Sequence, residues 1–168
     1  MKKNFFFFAM FLLLLGISCT KNVPAPDINT LVLYSNSFEN DADTIGWEGY
    51  CSVYFTENAP EGGANRSVSV SCGCIVPHES FKIGPFDEDK RLVVSCMARG
   101  FYFGGNLSLS YEDMAVGFTI PADSTWRYFE SLDTLFVPAN EDVRLNMSAG
   151  GFVAGMIELD LLEVKAVE

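Results

Sequence analysis

Histidine and positive charge are scarce in this sequence. It has one histidine, His78, and 11 lysines and arginines against 22 aspartates and glutamates, which gives a formal net charge of −11. A surface that binds nucleic acid or anionic lipid headgroups needs lysine and arginine to neutralise phosphates. The composition therefore excludes a nucleic acid partner and leaves neutral molecules or cations.

Sequence motifs of the common enzyme classes are also missing. The chain has no G-x-S-x-G, no H-E-x-x-H and no glycine-rich phosphate loop. A Ser/His/Asp triad would have to use His78, which stands in a Val-Pro-His-Glu turn. We therefore predict that the chain is not an enzyme.

The amino terminus has the pattern of a secretion signal. Two lysines precede the apolar run FFFFAMFLLLLGI, which is too short for a comfortable membrane span but typical of a secretory signal. The run leads into Gly16-Ile17-Ser18-Cys19, which resembles a bacterial lipoprotein signal, with Gly16 where an aliphatic residue is usual. We expect residues 1–18 to be removed and Cys19 to be lipidated. The alternative is ordinary cleavage nearby, which leaves Cys19 as a free thiol.

A lipidated Cys19 predicts a location in the cell envelope. Several acyl chains hold a protein firmly, because each buried methylene contributes about 0.8 kcal/mol. Residues 19–30 are polar after the cysteine and contain proline, so they predict a short stiff tether. Residues 31–168 have the length of one domain. We expect an anchor in the outer membrane of a diderm bacterium, with the domain in the periplasm or on the cell surface.

From Leu31 onward the sequence predicts strands rather than helices. No amphipathic helix of three turns is present, and short segments with period 2 alternate with clusters of Gly, Pro, Asn and Asp. These features predict an all-β sandwich of two packed antiparallel sheets with about nine strands. The candidate segments are 31–38, 46–56, 66–76, 79–84, 91–99, 106–113, 115–120, 126–137, 143–149 and 156–164.

The segment GMIELDLLEV near the end of the chain changes phase. Ile157 and Leu159 keep the alternation of a half-buried strand, but Leu162 and Val164 continue it one residue late. Asp160 stands at the slip. We therefore expect the last strand to kink at Asp160 and to return Leu162 and Val164 to the core.

Four cysteines remain beyond Cys19. Alternation in SVSVSCGCIV places Cys72 and Cys74 on the apolar face, and Cys51 and Cys96 share apolar faces in their own segments. Three interpretations stay open: free thiols buried in the core, one or two cross-strand disulfides, or a zinc site made by all four thiolates. The C-x-C spacing is unusual for zinc, since metal ligands favour turns over flat strands.

Several short motifs follow one another along residues 31–168. They are Ser37-Phe38-Glu39, Gly46-Trp47, Ala59–Gly63 before RSVSV, KRLVVSCMARG, Trp126-Arg127-Tyr128, FVPANEDVRLNM and AGMIELDLLEV. The order of these motifs resembles the carbohydrate-binding modules of the family 4/9 type over nearly all of this range. The resemblance implies a galactose-binding-like jelly roll and a glycan or polysaccharide partner.

The same resemblance implies a structural calcium ion. In many members the first and last strands lie side by side, and residues matching Glu39 and Asp160 ligate Ca²⁺. Carbonyl groups of the loop Glu61–Asn65 would complete the six to eight oxygens that calcium takes. The alternative is that Asp160 accepts backbone N–H groups at a bulge while Glu39 caps a turn.

Aromatic side chains are the natural carriers of sugar binding, because a pyranose stacks its C–H face on a ring. Tyr50 and Tyr54 lie opposite the apolar face of their segment, Arg99 similarly faces away from its apolar neighbours, and Tyr102 lies in the ring-rich turn FYFGG. We predict Tyr50, Tyr54, Arg99 and Tyr102 as ligand-binding residues. The alternative is ordinary surface packing in a structural or protein-interaction module, whose partner would be an envelope protein.

Overall fold

The computed structural model describes residues 30–49, 52–71, 73–77, 82–150 and 155–168. The predictions for the signal segment, Cys19, Tyr50, Cys51, Cys72 and His78 lie outside these residues. The described chain forms twelve strands and one short 3-10 helix, Asp41–Thr44, and none of its helices is long and apolar enough to cross a membrane. The strands are β1 (Thr30–Asn36), β2 (Trp47–Gly49), β3 (Ser52–Thr56), β4 (Ser67–Ser71), β5 (Gly73–Pro77), β6 (Lys90–Phe101), β7 (Gly105–Tyr111), β8 (Met114–Ile120), β9 (Arg127–Glu130), β10 (Leu135–Val137), β11 (Arg144–Ala149) and β12 (Met156–Val167).

The strands form two antiparallel sheets. The larger sheet has the order β10-β6-β12-β4-β3, with β9 also paired to β6 and β1 also paired to β12. The smaller sheet has the order β2-β5-β11-β7-β8. The predicted all-β two-sheet sandwich is therefore confirmed, with twelve strands in place of about nine.

The higher strand count arises because three predicted segments divide. Segment 46–56 becomes β2 in the smaller sheet and β3 in the larger one, and segment 66–76 becomes β4 in the larger sheet and β5 in the smaller one. Segment 126–137 becomes β9 and β10, which both pair with β6. The prediction of one continuous alternation through Val68 and Cys74 is wrong, because the chain changes sheets between β4 and β5.

The core lies between the two sheets and consists of the inward-facing residues of both. Cys96 on β6 is fully buried and makes no disulfide, and burial raises its thiol pKa above the ordinary range. This agrees with the core-thiol interpretation for Cys96 and disagrees with a zinc site that uses all four thiolates. For Cys51, Cys72 and Cys74, free thiols or a disulfide stay predictions. The largest fully buried side chains are Phe38, Leu92, Leu107, Leu109, Ile120, Leu135, Leu145, Met147, Ile157, Leu159 and Leu162.

Strand β12 contains the predicted change of phase. Asp160 pairs with Met97 and Glu163 with Ser95, so two residues of β12 stand opposite one residue of β6. This is a β-bulge, and Leu161 within it has a φ of 50°, in the left-handed region that few side chains adopt. Beyond the bulge, Leu162 and Val164 are fully buried, which confirms the expected return to the core.

Strand β12 also joins the two ends of the domain. Its first part pairs with β4 and its last part with β1, and both contacts lie on the side opposite β6. The register of β1 runs from Thr30 beside Val167 to Asn36 beside Leu162. The expected pairing of the first and last strands is confirmed, and it brings the segment after β1 close to the bulge.

Candidate functional site

The bulge places Asp160 on the outer face of the larger sheet, where neighbouring residues cover its side chain. Its side chain has no exposed surface, and Oδ1 accepts a hydrogen bond of 2.7 Å from the backbone N–H of Leu161. Oδ2 has no hydrogen-bond partner among the described residues. Gly63, in the loop between β3 and β4, lies directly against Oδ2, and a β-carbon at that position would overlap this oxygen.

The environment of Asp160 disfavours its charged form. Burial raises the pKa of Asp160 to about 6, the Leu161 N–H acts in the opposite direction, and the nearby Glu39 carboxylate adds a smaller upward shift. One carboxylate oxygen of Asp160 therefore lacks a hydrogen bond. Ionisation of this buried acid lowers the stability of the folded state.

Glu39 binds the same loop through its carboxylate. Its carboxylate accepts the backbone N–H groups of Asn65 at 3.1 Å and of Arg66 at 3.2 Å. The Arg66 guanidinium donates to the carbonyl of Glu39 at 3.1 Å and to Asp41 at 2.9 Å. Both predicted acids thus contact loop 61–66. The backbone donors expected by the alternative are present for both acids, because Asp160 accepts the Leu161 N–H at the bulge and Glu39 accepts two N–H groups of the loop. Within the described ranges no three Asp, Glu, Cys or His side chains group closely enough to hold a metal.

Next to Asp160, four outward-facing side chains stand in register across four strands of the larger sheet. Tyr54 on β3 pairs with Ser69 on β4, Ser69 pairs with Glu158 on β12, and Glu158 pairs with Arg99 on β6. Trp126 extends this line, because the next residue, Arg127, pairs with Ala98. We call this set the cross-strand row: Tyr54, Ser69, Glu158, Arg99 and Trp126.

Arg99 is the fixed centre of the cross-strand row. Its Nε lies 2.6 Å and its Nη2 2.5 Å from Oε2 of Glu158, and the two side chains are 14% and 7% exposed. The guanidinium carbon is 4.8 Å from the ring centre of Trp126 and 5.3 Å from that of Phe101. The ion pair and the cation–π contacts together hold Arg99 in one orientation, and the Glu158 carboxylate compensates its charge.

One exposed ring lies at the β3 end of the row, and another lies in the neighbouring row on β9. Tyr54 is 45% exposed and donates its hydroxyl proton to the sulfur of Met156 at 3.3 Å. Tyr128, on β9, is 58% exposed and pairs with Met97 next to Arg99's strand position. From β3 to β9 there are four inter-strand spacings, or roughly 19 Å. Tyr54 and Tyr128 therefore lie far apart on this face of the sheet, with the buried Ser69 and Glu158 on the strands between them.

Two polar atoms under this surface have no partner. The hydroxyl of Ser69 and Nε1 of Trp126 are buried without a hydrogen bond in the described part of the protein. Such groups are rare in folded proteins, because an unsatisfied donor costs about 1–3 kcal/mol. Both atoms belong to residues of the cross-strand row, so two polar groups of this row lack hydrogen bonds among the described residues.

The outer face of the smaller sheet differs in character. Its side chains are short hydroxyl and amide groups that bind one another, such as Thr119 to Asn106 at 2.9 Å and Asn146 to Ser110 at 2.8 Å. The described strands β7, β8 and β11 present no ring at the centre of this face, whose outward positions are Asn106, Ser108, Ser110, Ala115, Gly117, Thr119, Arg144, Asn146 and Ser148.

The structure brings together two of the four predicted ligand residues. Tyr54 and Arg99 share the cross-strand row, whereas Tyr102 is 75% exposed in the turn after β6 with a φ of 60°. Sequence reasoning passed over Trp126 and missed Glu158. A signal for Glu158 was present, since it alternates with Ile157 and Leu159, but its partner Arg99 depends on a register that only the fold defines.

Comparison with known proteins gives a likeness of fold. No protein-family model and no curated protein matches the sequence. The CBM22-1 xylan-binding domain of Paenibacillus barcinonensis Xyn10C superposes with a TM-score of 0.57 at 14% identity, over 82% of this chain and 96% of that domain. The CBM22-1–GH10 modules of Clostridium thermocellum Xyn10B, complexed with xylohexaose, give 0.53 at 17% identity, over 80% of this chain and 28% of theirs.

The fold also occurs within a larger viral protein. The enzymatically active domain of bacteriophage CBA120 tailspike protein 4 superposes with a TM-score of 0.54 at 13% identity, over 77% of this chain. This chain spans only 20% of that structure. The shared feature is a jelly-roll β-sandwich of the kind found in carbohydrate-binding modules.

The state of Asp160 predicts an unusual dependence of stability on pH. Because its folded pKa of about 6 lies above the ordinary value of 3.8, the folded state binds the proton more tightly. The contribution of Asp160 to stability in the presence of chelator is therefore greatest below about pH 4, falls as the pH rises to about 6, and then levels off. We expect Asp160→Asn to unfold at higher urea above pH 6 and to gain about 2 kcal/mol.

The matched control is Asp133→Asn, which neutralises an acid in an exposed loop. Urea unfolding between pH 4 and 8 measures both variants. A decrease in stability for Asp160→Asn at pH 7 in chelator would contradict the strained-acid interpretation.

Proposed function

We propose that this chain is a lipid-anchored, non-catalytic module of the bacterial cell envelope that binds glycan on the cross-strand row. The observation that carries the proposal is the fixed Arg99 close to the Trp126 and Phe101 rings, with exposed Tyr54 at the end of the row and exposed Tyr128 in the neighbouring row. A row of rings and held polar groups on one sheet face suits a sugar chain, which offers apolar C–H faces and hydroxyl groups in alternation.

Each part of the row has a role in this proposal. Tyr54 and Tyr128 stack on sugar rings, and the N–H groups of Arg99 left free by Glu158 donate to sugar hydroxyls. Tyr102 extends the surface beyond the end of β6, next to Phe101. Tyr50 stays a predicted ligand residue just past the end of β2.

Two independent similarities support glycan binding. The sequence motifs follow the order seen in modules of the family 4/9 type, and the fold matches the xylan-binding domain over 82% of this chain. The absence of a catalytic motif in the sequence agrees with a binding role.

Truncation of the exposed rings tests this site. Loss of one stacking ring removes about 1 kcal/mol or more, so we expect Tyr54→Ala and Tyr128→Ala each to lower the affinity for the bound glycan roughly tenfold. Affinity electrophoresis of the full-length chain on a panel of neutral polysaccharides measures this. The control is Asn146→Ala, a half-buried polar change on the outer face of the smaller sheet.

The outcomes separate three possibilities. Loss of binding in Asn146→Ala with none in Tyr54→Ala would move the site to the smaller sheet. Binding of the wild-type chain to no polysaccharide, together with saturable binding to a purified envelope protein, would favour the structural or protein-interaction alternative. Exposed apolar side chains off the row, such as Phe103 at 64% and Leu132 at 100%, would then be contact residues.

We further propose a structural calcium ion between Asp160 and Glu39. The buried Oδ2 of Asp160, which has no partner among the described residues, supports a cation at this oxygen. The glycine at position 63 leaves room for the carboxylate against the loop. Glu39 and carbonyl groups of loop 61–65 would supply further oxygens, the ligand type that calcium takes. The ion would offset the charge that burial disfavours on Asp160 and would fasten the loop beside the cross-strand row.

Thermal unfolding with and without calcium tests the ion. At a calcium concentration 100 times its dissociation constant, binding adds about 2.7 kcal/mol, so we expect Tm to rise by at least about 5 °C over the chelated protein. Asp160→Asn and Glu39→Gln should abolish the rise, and Asp133→Asn should keep it. Equal Tm values with calcium and chelator in the wild-type chain would refute the site.

The lipid anchor is proposed on the signal pattern that ends at Cys19. Cys19→Ala removes the thiol that carries the lipid, so the chain should move from the membrane fraction to the soluble envelope fraction. Metabolic labelling with a radioactive fatty acid should mark the wild-type chain and not the variant. An unlabelled wild-type chain would show cleavage without lipidation, and Ser18→Ala serves as the control for altered processing.

A further inference from the structure

We propose that Glu158 makes the cross-strand row selective for uncharged glycans by cancelling the positive charge of Arg99. This inference rests on the proposed glycan-binding function and adds the class of glycan. Its basis is the geometry of one ion pair in the middle of the candidate surface.

The pair is complete within the protein. Both Nε and Nη2 of Arg99 lie within 2.6 Å of a single oxygen of Glu158, and Glu158 is only 7% exposed. The other described members of the row, Tyr54, Ser69 and Trp126, are uncharged. In the neighbouring row on the same face, Asp160 and Met97 add no positive charge. The centre of the surface therefore has no net cation to offer a ligand.

This arrangement treats neutral and acidic sugars differently. A uronic acid placed on Arg99 would bring its carboxylate next to the Glu158 carboxylate in a poorly solvated position, and like charges there repel strongly. It would also have to compete with Glu158 for the guanidinium, which binds carboxylates in a fixed geometry. A sugar hydroxyl meets neither obstacle, since it accepts from the remaining N–H groups without carrying charge.

Glu158→Gln tests the inference because it removes the charge and keeps the size. The glutamine oxygen can still accept from Arg99, so the guanidinium should stay close to its rings while its charge becomes available. We expect wild type to bind a neutral polymer at least tenfold more tightly than its acidic counterpart. Glu158→Gln should reduce that preference at least fivefold, and added salt should restore it because the gain is electrostatic.

Matched polymers and variants make the readout specific. The polymer pairs are arabinoxylan with glucuronoxylan, and galactan with galactan oxidised to the acid at C6. Glu130→Gln removes an exposed acid beside Tyr128 and should leave the preference unchanged. The double variant Arg99→Gln/Glu158→Gln removes both charges and should bind neutral polymer with no gain for the acidic one.

The outcomes distinguish a failure of the proposed charge selectivity from a failure of the proposed glycan-binding function. If wild type binds the neutral members and Glu158→Gln gains nothing for the acidic ones, the inference is wrong and the proposed function stands. If wild type binds the acidic polymers as tightly as the neutral ones or more tightly, the inference is again wrong and the proposed function stands. This result is obtained with the wild-type protein alone, so it does not depend on whether a variant folds. If wild type binds none of the four polymers, the glycan-binding function fails and the inference fails with it.

Discussion

The one-residue slip in β12 is the constraint on which the rest of the larger sheet depends. Without it, the side chains that follow Asp160 would exchange faces, and Leu162 and Val164 would point to solvent. The bulge places these two residues in the core and leaves Asp160 on the outer face, closed in by Gly63. A single irregularity thus sets the core packing of the last strand and the position of the buried acid.

The same strand links the acid to the candidate binding surface. Glu158 and Asp160 lie two residues apart on one face of β12, so one is a member of the cross-strand row and the other lies beneath the loop at its border. The two buried carboxylates differ in the groups that contact them. Glu158 has a guanidinium at 2.5 Å, whereas Asp160 has a single backbone donor and one unsatisfied oxygen. Arg99 thus compensates the charge of Glu158 within the chain, whereas one oxygen of Asp160 has no partner among the described residues.

Sequence reasoning reached the fold class, the kink at Asp160 and the pairing of the first and last strands, because each depends on local periodicity or on an ordered set of motifs. It did not find the sheet changes within 46–56 and 66–76, since both sheets of a sandwich show the same period of two. For the site it selected Tyr54 and Arg99 by their faces. The pairing of Glu158 with Arg99 and the role of Trp126 were out of reach, because cross-strand register is a long-range property that no single segment contains.

The central position of β12 has a consequence for how the protein is made. β12 lies between β6 and β4, yet it is the last of the described strands to leave the ribosome. Until it emerges, the two halves of the larger sheet have open edges that cannot pair with each other in the native order. Contacts of such long sequence separation form slowly. The larger sheet therefore reaches its native strand order only after the last described strand has been synthesised.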